Sequence, residues 1–319
     1  MYPQWLRRFL PNCFAGFEDQ SLPDGVSVTH GKVRDVVDLG DDLLIVATDR
    51  VSAFDRVLAL VPCKGEVLTR TSLYWFATTA HIVPNHVREM VTPRCMRVEK
   101  ARVLPVEVVV RGYLAGSAWR DYEAGRTVSG VRLPPGMQKG DELPAPIVTP
   151  STKASAGHDQ PISEHDLVAG GLVETVVWEQ VREAALALFR FGQSTSRKAG
   201  LRMVDTKYEF GQKPDGSLIL VDELHTPDSS RFQLLPDGEG FVGRETAPLH
   251  LDKEYLRSYL MEQGFRGDGA IPDIPEDVIL ELAGRYVEAI ERLTGAEFEP
   301  MTADPDREFD RILSVATGR

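Results

Sequence analysis

The chain has 319 residues, 42% of them apolar and 26% charged, which fits one large or two ordinary globular domains and excludes disorder as the whole answer. With 36 Lys+Arg against 48 Asp+Glu, the net charge of −12 argues against a general nucleic-acid or anionic-membrane binder, because both need a positive field, while leaving room for local basic pockets. Cys13, Cys63 and Cys95 are few, odd in number and far apart, which argues against a disulfide framework or a Cys-rich zinc site and suits a reducing cytosol.

Residues 1–8 carry charge but no long apolar core, so no signal peptide is predicted. No stretch approaches the roughly 18 apolar residues of a membrane span, and the cytoplasm is the default. Residues 33–39 and 43–48, divided by Gly40-Asp41-Asp42, read as strand, turn, strand. Residues 66–82 place Val67, Leu68, Leu73, Phe76 and Ala80 near helical spacing and predict a helix. The valine-rich stretch 105–111 predicts another strand. The Gly/Pro-rich stretch 130–150 reads as a loop or inter-lobe connection. Ser163 marks a helix start, and 174–199 is the clearest long helix, with Val177, Val181, Ala184, Ala185 and Leu188 on one stripe and Gly200 ending it. Strands return at 201–210 and 217–224, and helices follow near 253–263, 276–294 and 306–316. The mixture predicts an α+β fold with largely antiparallel sheets.

The strand–turn–strand segment 204–224 is the most informative. Side chains alternate along a strand, so Asp205, Lys207 and Glu209 share one face and Thr206, Tyr208 and Phe210 the other. Asp215-Gly216 is a strong hairpin signal. A two-residue loop there, or a four-residue loop over 214–217, sets Glu209 directly opposite Asp222. Like charges in that position destabilise a sheet, and a divalent cation between them reverses the penalty. Mg²⁺ is usually held by one or two carboxylates plus phosphate oxygens and water, so Glu209 and Asp222 are read as a Mg²⁺–nucleotide site. A solvated hairpin face, with Lys207 balancing the acids, is the competing reading, and Val204, Leu220 and Val221 favour burial over it.

Candidate anion binders are spread along the chain. In His30-Gly31-Lys32-Val33-Arg34-Asp35, glycine lets backbone approach a phosphate and Lys32 supplies a point charge, although alone the segment reads as a surface turn. In 108–119, a buried-looking strand ends in Arg111 and small residues open a helix. A strand feeding a helix N-terminus suits an anion, with Arg111 able to bind phosphate bidentately and Ser117 to add a hydroxyl. A structural arginine at a strand end is the alternative. The hydroxyl-rich loop 149–159 and the segment 222–232, which puts Arg231 and two serines just past the proposed metal pair, complete the set. His81, His86, His165 and His250 lack metal-ligand spacing, and neither GxSxG nor a plausible Cys/His nucleophile pair occurs.

Together and in this order, GKVRD (31–35), LLIVATDRVSAFD (43–55), LPVEVVVRGYLAGSAW (104–119), PIVTPSTKASAGHD (146–159), VDTKYEFG (204–211) and LVDELHTPDSSRF (220–232) resemble the SAICAR synthetase family of purine biosynthesis. DKEYLRSYL (252–260) extends the match. The resemblance implies an ATP-dependent ligase that joins L-aspartate to 5-amino-1-(5-phospho-D-ribosyl)imidazole-4-carboxylate through an acyl phosphate, releasing ADP and phosphate. It implies a small β-rich lobe over residues 1–104, similar to a protein kinase N-lobe, and a larger ATP-grasp-like α+β lobe over 105–319, with ATP in the cleft. By the same resemblance Lys32, Arg34 and Glu107 contact ATP, and Glu209 and Asp222 hold Mg²⁺. Arg111, Ser117 and Arg231 match positions that hold the ribonucleotide 5′-phosphate, Ser230 is assigned to substrate binding, and Lys207, Lys153 and Asp159 match positions near the reacting carboxylate and the aspartate. The implied partners are these small molecules, with no nucleic acid and no membrane, in a cytoplasmic monomer or homodimer. The chain departs from the family at Gln233, where tryptophan is common, and over 234–248. A kinase would need an HRD…N loop and a DFG motif, and neither occurs. A non-catalytic nucleotide-binding or scaffold protein would not need Arg111, Ser117 and Arg231 to converge beside two carboxylates.

Overall fold

The computed structural model describes residues 2–17, 22–23, 26–153, 160–235, 249–301 and 304–318. A 3-10 helix, η1 (Gln4–Asn12), leads into β1 (Val28–His30), β2 (Arg34–Asp38) and β3 (Asp42–Ala47). The turn between β2 and β3 forms where expected, with the Asp38 carboxylate accepting from the Gly40 amide at 2.8 Å. A two-stranded ribbon follows, β4 (Arg50–Ala53) and β5 (Arg56–Leu60), then α1 (Lys64–Thr79), β6 (Val87–Thr92) and β7 (Cys95–Glu99). The first sheet has the order β1-β2-β3-β7-β6, and its pairings are antiparallel.

The second sheet is built from β8 (Arg102–Val103), β9 (Val106–Tyr113), β10 (Glu142–Thr152), β11 (Gln160–Pro161), β12 (Leu201–Gln212), β13 (Leu218–Val221) and β14 (Ser230–Leu234). Its main path is β11-β10-β9-β12-β13, with β8 and β14 also on β12. Between the strands lie α2 (Gly116–Glu123), α3 (Glu164–Ala169) and α4 (Thr175–Lys198). The Ser163 hydroxyl caps α3 by accepting from the Asp166 amide at 3.0 Å. The stripe predicted for α4 is buried at Val181, Ala185 and Leu188, and the helix packs on β9, β10 and β12. The resulting core is continuous between the sheets, with Ile45, Trp75, Met96 and Val98 joining Val108, Phe189, Tyr208 and Leu220.

One expectation fails here. Residues 142–150 of the Gly/Pro-rich stretch belong to the eleven-residue strand β10 rather than to a loop, whereas 130–141 are irregular as expected. Proline removes a ladder donor, so it is tolerated where pairing is interrupted or one-sided. Pro144 and Pro146 fall inside the register shift between Glu142 and Ile147, and Pro150 precedes the two positions at which β11 pairs with β10.

The chain ends with α5 (Glu254–Glu262), α6 (Glu276–Thr294) and α7 (Pro305–Ala316), close to their predicted bounds. α6 packs on α1 and η1, burying Leu280, Tyr286 and Val287 with Leu6, Val67 and Leu68. α7 lies against β6, where Ile312 seals Phe14, Phe17, Val37 and Leu44. Arg94 anchors α7 by pairing with Glu308 and with Asp49 Oδ1 at 3.1 Å.

Candidate active site

Strand β12 carries the site. Asp205 stands across from Arg111 of β9 and Lys207 across from Val109, so the alternation predicted for Asp205, Lys207 and Glu209 is placed on a strand held from both sides. The hairpin to β13 has a different register from the one expected. Lys213 N–H donates to the Ser217 carbonyl at 3.0 Å, and the Asp215 carboxylate accepts from the Ser217 amide at 2.9 Å. The loop that closes is longer than the two or four residues expected, and it sets Val221, not Asp222, opposite Glu209.

Asp222 instead lies just past β13 with a left-handed φ of 67°. That conformation costs a non-glycine residue roughly 1–2 kcal/mol. It brings the Asp222 carboxylate to Arg34 Nη1 at 3.1 Å while leaving it in the fields of Glu209 and Lys207. The two acids therefore still share a site, reached by a kink in place of cross-strand pairing.

Glu209 is gripped by two ammonium groups, Lys207 at 2.7 Å and Lys153. Lys207 also donates to Glu107 Oε1 at 2.8 Å. Burial pushes the Glu209 carboxyl up, but Lys207 and Lys153 outweigh it and hold the group at about 2. Asp222 goes the other way. Burial lifts its carboxyl to about 6, Glu209 and Glu223 adding to the shift while Arg34 and Lys207 oppose it. A buried acid left short of positive charge beside a second ionised acid is a donor set that suits a divalent cation. Among the described residues no group of three or more His, Cys, Asp or Glu side chains could hold a metal by itself. Two carboxylates are what Mg²⁺ uses when phosphate oxygens and water complete its shell.

A second cluster lies farther along the same face. Arg111 donates through Nε to Thr149 Oγ1 at 2.9 Å, through Nη1 to Asp205 Oδ2 at 3.0 Å and through Nη2 to Ser117 Oγ at 3.0 Å. Arg231 Nη1 reaches the same Asp205 oxygen at 3.0 Å. Gly116, at φ +58°, begins α2, and a Cβ there would collide with the Arg231 guanidinium. Two guanidiniums, a hydroxyl and a helix start gathered round one carboxylate have the chemistry to receive an anion.

The other expected residues are placed as follows. Lys32 lies on the turn between β1 and β2, exposed, with Nζ donating to Asp55 Oδ1 at 2.5 Å. Arg34 spans Asp222 and Glu223, and Glu107 holds Lys207. The Ser230 hydroxyl is buried against Thr206 Oγ1 at 2.8 Å, where it ties β14 to β12. Asp159 lies outside the described residues. Sequence patterning gives no role to Asp205, Thr149 or Glu223. The period-two face that holds Lys207 and Glu209 already contained Asp205, whereas Thr149 becomes visible only through the β9–β10 pairing.

Residues 27–272 match the SAICAR synthetase family. The chain is 42% identical over 310 residues to the phosphoribosylaminoimidazole-succinocarboxamide synthase of Legionella pneumophila (strain Lens), spanning 95% of this chain and 97% of that protein. It is 44% identical over 285 residues to the chloroplastic phosphoribosylaminoimidazole-succinocarboxamide synthase of Arabidopsis thaliana, spanning 88% of this chain and 69% of that protein. The solved structure of the SAICAR synthase of Saccharomyces cerevisiae complexed with SAICAR matches with a TM-score of 0.77 at 32% identity, over 88% of this chain and 99% of that one. A SAICAR synthetase in complex with ADP matches with a TM-score of 0.67 at 26% identity, over 86% and 100%.

Proposed function

The chain belongs to the SAICAR synthetase family, and from that premise we infer how its site performs the reaction. It is an ATP-dependent ligase of de novo purine biosynthesis, condensing L-aspartate with 5-amino-1-(5-phospho-D-ribosyl)imidazole-4-carboxylate to give the succinocarboxamide, ADP and phosphate. A carboxylate is a poor acyl donor, so ATP first converts it to an acyl phosphate, which the aspartate amine then displaces. Such transfer depends on positioning and charge neutralisation more than on an enzyme nucleophile.

Arg111, Ser117 and Arg231 hold the ribonucleotide 5′-phosphate, with Asp205 fixing both guanidiniums and Ser230 supporting the strand beneath. Lys207 and Lys153 lie beside the reacting carboxylate and spread positive charge over it. Lys32 and Arg34 serve the ATP phosphates, Arg34 also by holding Asp222, and Glu107 serves ATP binding through Lys207. Glu209 and Asp222 would hold Mg²⁺. Bound there, the ion would supply charge neutralisation for the phosphate oxygens. Asp159 is assigned to the aspartate subsite by resemblance alone. We divide the chain into an ATP-binding lobe over 1–104 and a substrate- and metal-binding lobe over 105–319, and place the enzyme in the cytoplasm as a monomer or homodimer acting on small molecules only. No helix of the described residues is long and apolar enough to cross a membrane.

One observation carries this reading: Asp205 with its two guanidiniums and Glu209 with its two ammonium groups stand on one face of β12. Four residues along a strand is about 13 Å, so the two ends of one ribonucleotide can be read along a single element. Incubation with ATP, Mg²⁺, L-aspartate and the carboxylated ribonucleotide should release ADP over many turnovers only when aspartate is present, a single enzyme equivalent at most forming without it. Multiple-turnover ADP release that aspartate does not accelerate, or none at all, would sink the reading.

A further inference from the structure

We propose that Tyr286, on α6 and outside the segment 27–272 that matches the family, is a positioning residue for this reaction, acting through Asp228. The inference rests on the reading of the site given above. Asp228 lies in the turn between Asp222, at the metal end, and Arg231, at the phosphate end. Both of its oxygens are taken, Oδ2 by Lys64 Nζ at 2.6 Å and Oδ1 by the Tyr286 hydroxyl at 2.5 Å. All three side chains are buried.

The turn has its own internal bonds. The Thr226 amide donates to Ser229 Oγ at 3.1 Å, the Ser229 amide to Thr226 Oγ1 at 3.1 Å and the Ser230 amide to the Thr226 carbonyl at 2.9 Å. These fix its shape, while the Lys207 amide, donating to the Ser229 carbonyl at 2.9 Å, and the pairing of Ser230 with Thr206 hold its last residues to β12. Arg34 adds a side-chain anchor at the Asp222 end. Lys64 and Tyr286 add theirs at the Asp228 end, each from a helix whose seat is set by apolar packing. α1 and α6 bury their faces against one another, and Gly284 of α6 lies so close to the N-terminal segment that an added Cβ would come within 2.7 Å of Tyr2. A buried lysine–carboxylate pair gains little net stability against its own desolvation, so its contribution here is to register more than to stability. A turn released at Asp228 moves the metal acid and the phosphate arginine together.

That shared movement is the signature to measure. In the full-length enzyme, Tyr286→Phe removes one hydroxyl and keeps the ring. The half-saturating Mg²⁺ concentration and the KM for the ribonucleotide should both rise by about fivefold, the size expected for one lost hydrogen bond. A purely structural role would lower the melting temperature or the folded fraction and leave both constants, per folded enzyme, where they were. Unchanged constants would overturn the proposal whatever happens to Tm. If Tyr286→Phe does not fold, Asp228→Asn reads the same two constants by weakening the clamp from its centre. Should the wild-type chain show no aspartate-dependent ADP release, the functional reading fails on its own account. Calorimetric titration with Mg²⁺·ADP and with inorganic phosphate then reads the two ends, and weakening of both in the variant supports the positioning role, whereas unchanged affinities refute it.

Discussion

In the proposed metal role, Asp222 would bind a cation only after giving up a proton. Burial holds its carboxyl near 6, so below that pH a divalent cation competes with H⁺ for the oxygen. The half-saturating Mg²⁺ concentration should therefore climb by about tenfold per pH unit as pH falls below 6 and level off above it. Asp222→Asn should cut turnover by orders of magnitude with the fold intact, and near-normal activity would refute the metal role. At the phosphate end, Arg111→Lys replaces a fork that satisfies Thr149, Asp205 and Ser117 by a single point charge. The KM for the ribonucleotide should rise by about 10- to 100-fold, the scale of losing a charge-assisted bidentate contact. The pairing of Arg111 with Ser117 was legible in the sequence because the two are close along the chain. The bridging role of Asp205 was not, because it depends on which residues of two distant strands come opposite one another.

At the level of the element, the hairpin was legible and its register was not. Asp215-Gly216 announces a turn, but the side chain of Asp215, by accepting from Ser217, selects a longer loop than the dipeptide alone implies. A one-residue slip normally turns every side chain to the opposite face. Here Glu209 keeps its face, and the left-handed kink at Asp222 absorbs the difference. Gly216 sits at φ +85° with open space around it, so Gly216→Ala pays only the backbone term. Denaturant unfolding should register a loss of about 1 kcal/mol, with kcat and KM unchanged. A large fall in kcat would mean that the loop sets the metal geometry from a distance. β10 teaches the same lesson: its prolines read as a loop because composition does not reveal that the strand is interrupted or one-sided where they fall.

Across the whole molecule, a net charge of −12 coexists with a local gathering of Arg34, Arg111, Lys153, Lys207 and Arg231 on the carboxylates of β12 and Asp222, to which the proposed function adds Lys32. Global charge therefore argues against general polyanion binding without bearing on anionic small molecules. Stability should carry a different pH signature. His225 is buried beside Trp75 and Tyr208, and burial pulls its pKa down to about 3 from the ordinary 6.5. It folds neutral, so its contribution is complete above 6.5 and is lost as pH falls toward 3, when the unfolded chain takes up the proton first. The slope of unfolding free energy against pH between 6 and 4.5 should flatten by about 1.4 kcal/mol per pH unit in His225→Gln. An unaltered slope would show that His225 titrates normally. The three C-terminal helices were legible as helices from their periodicity, but the return of α7 to the first sheet was not, because an apolar stripe does not name its partner.

That return has a consequence for how the polypeptide is made. Phe14, Phe17, Val37 and Leu44 belong to the first strands and segments to leave the ribosome, yet Ile312 completes their cluster and Glu308 satisfies Arg94 across 214 residues of chain. The nascent chain must therefore carry an open apolar sheet face until residue 312 has cleared the exit tunnel. The last helix made closes a cluster begun by the first segments, so this face has the longest exposure to aggregation during synthesis.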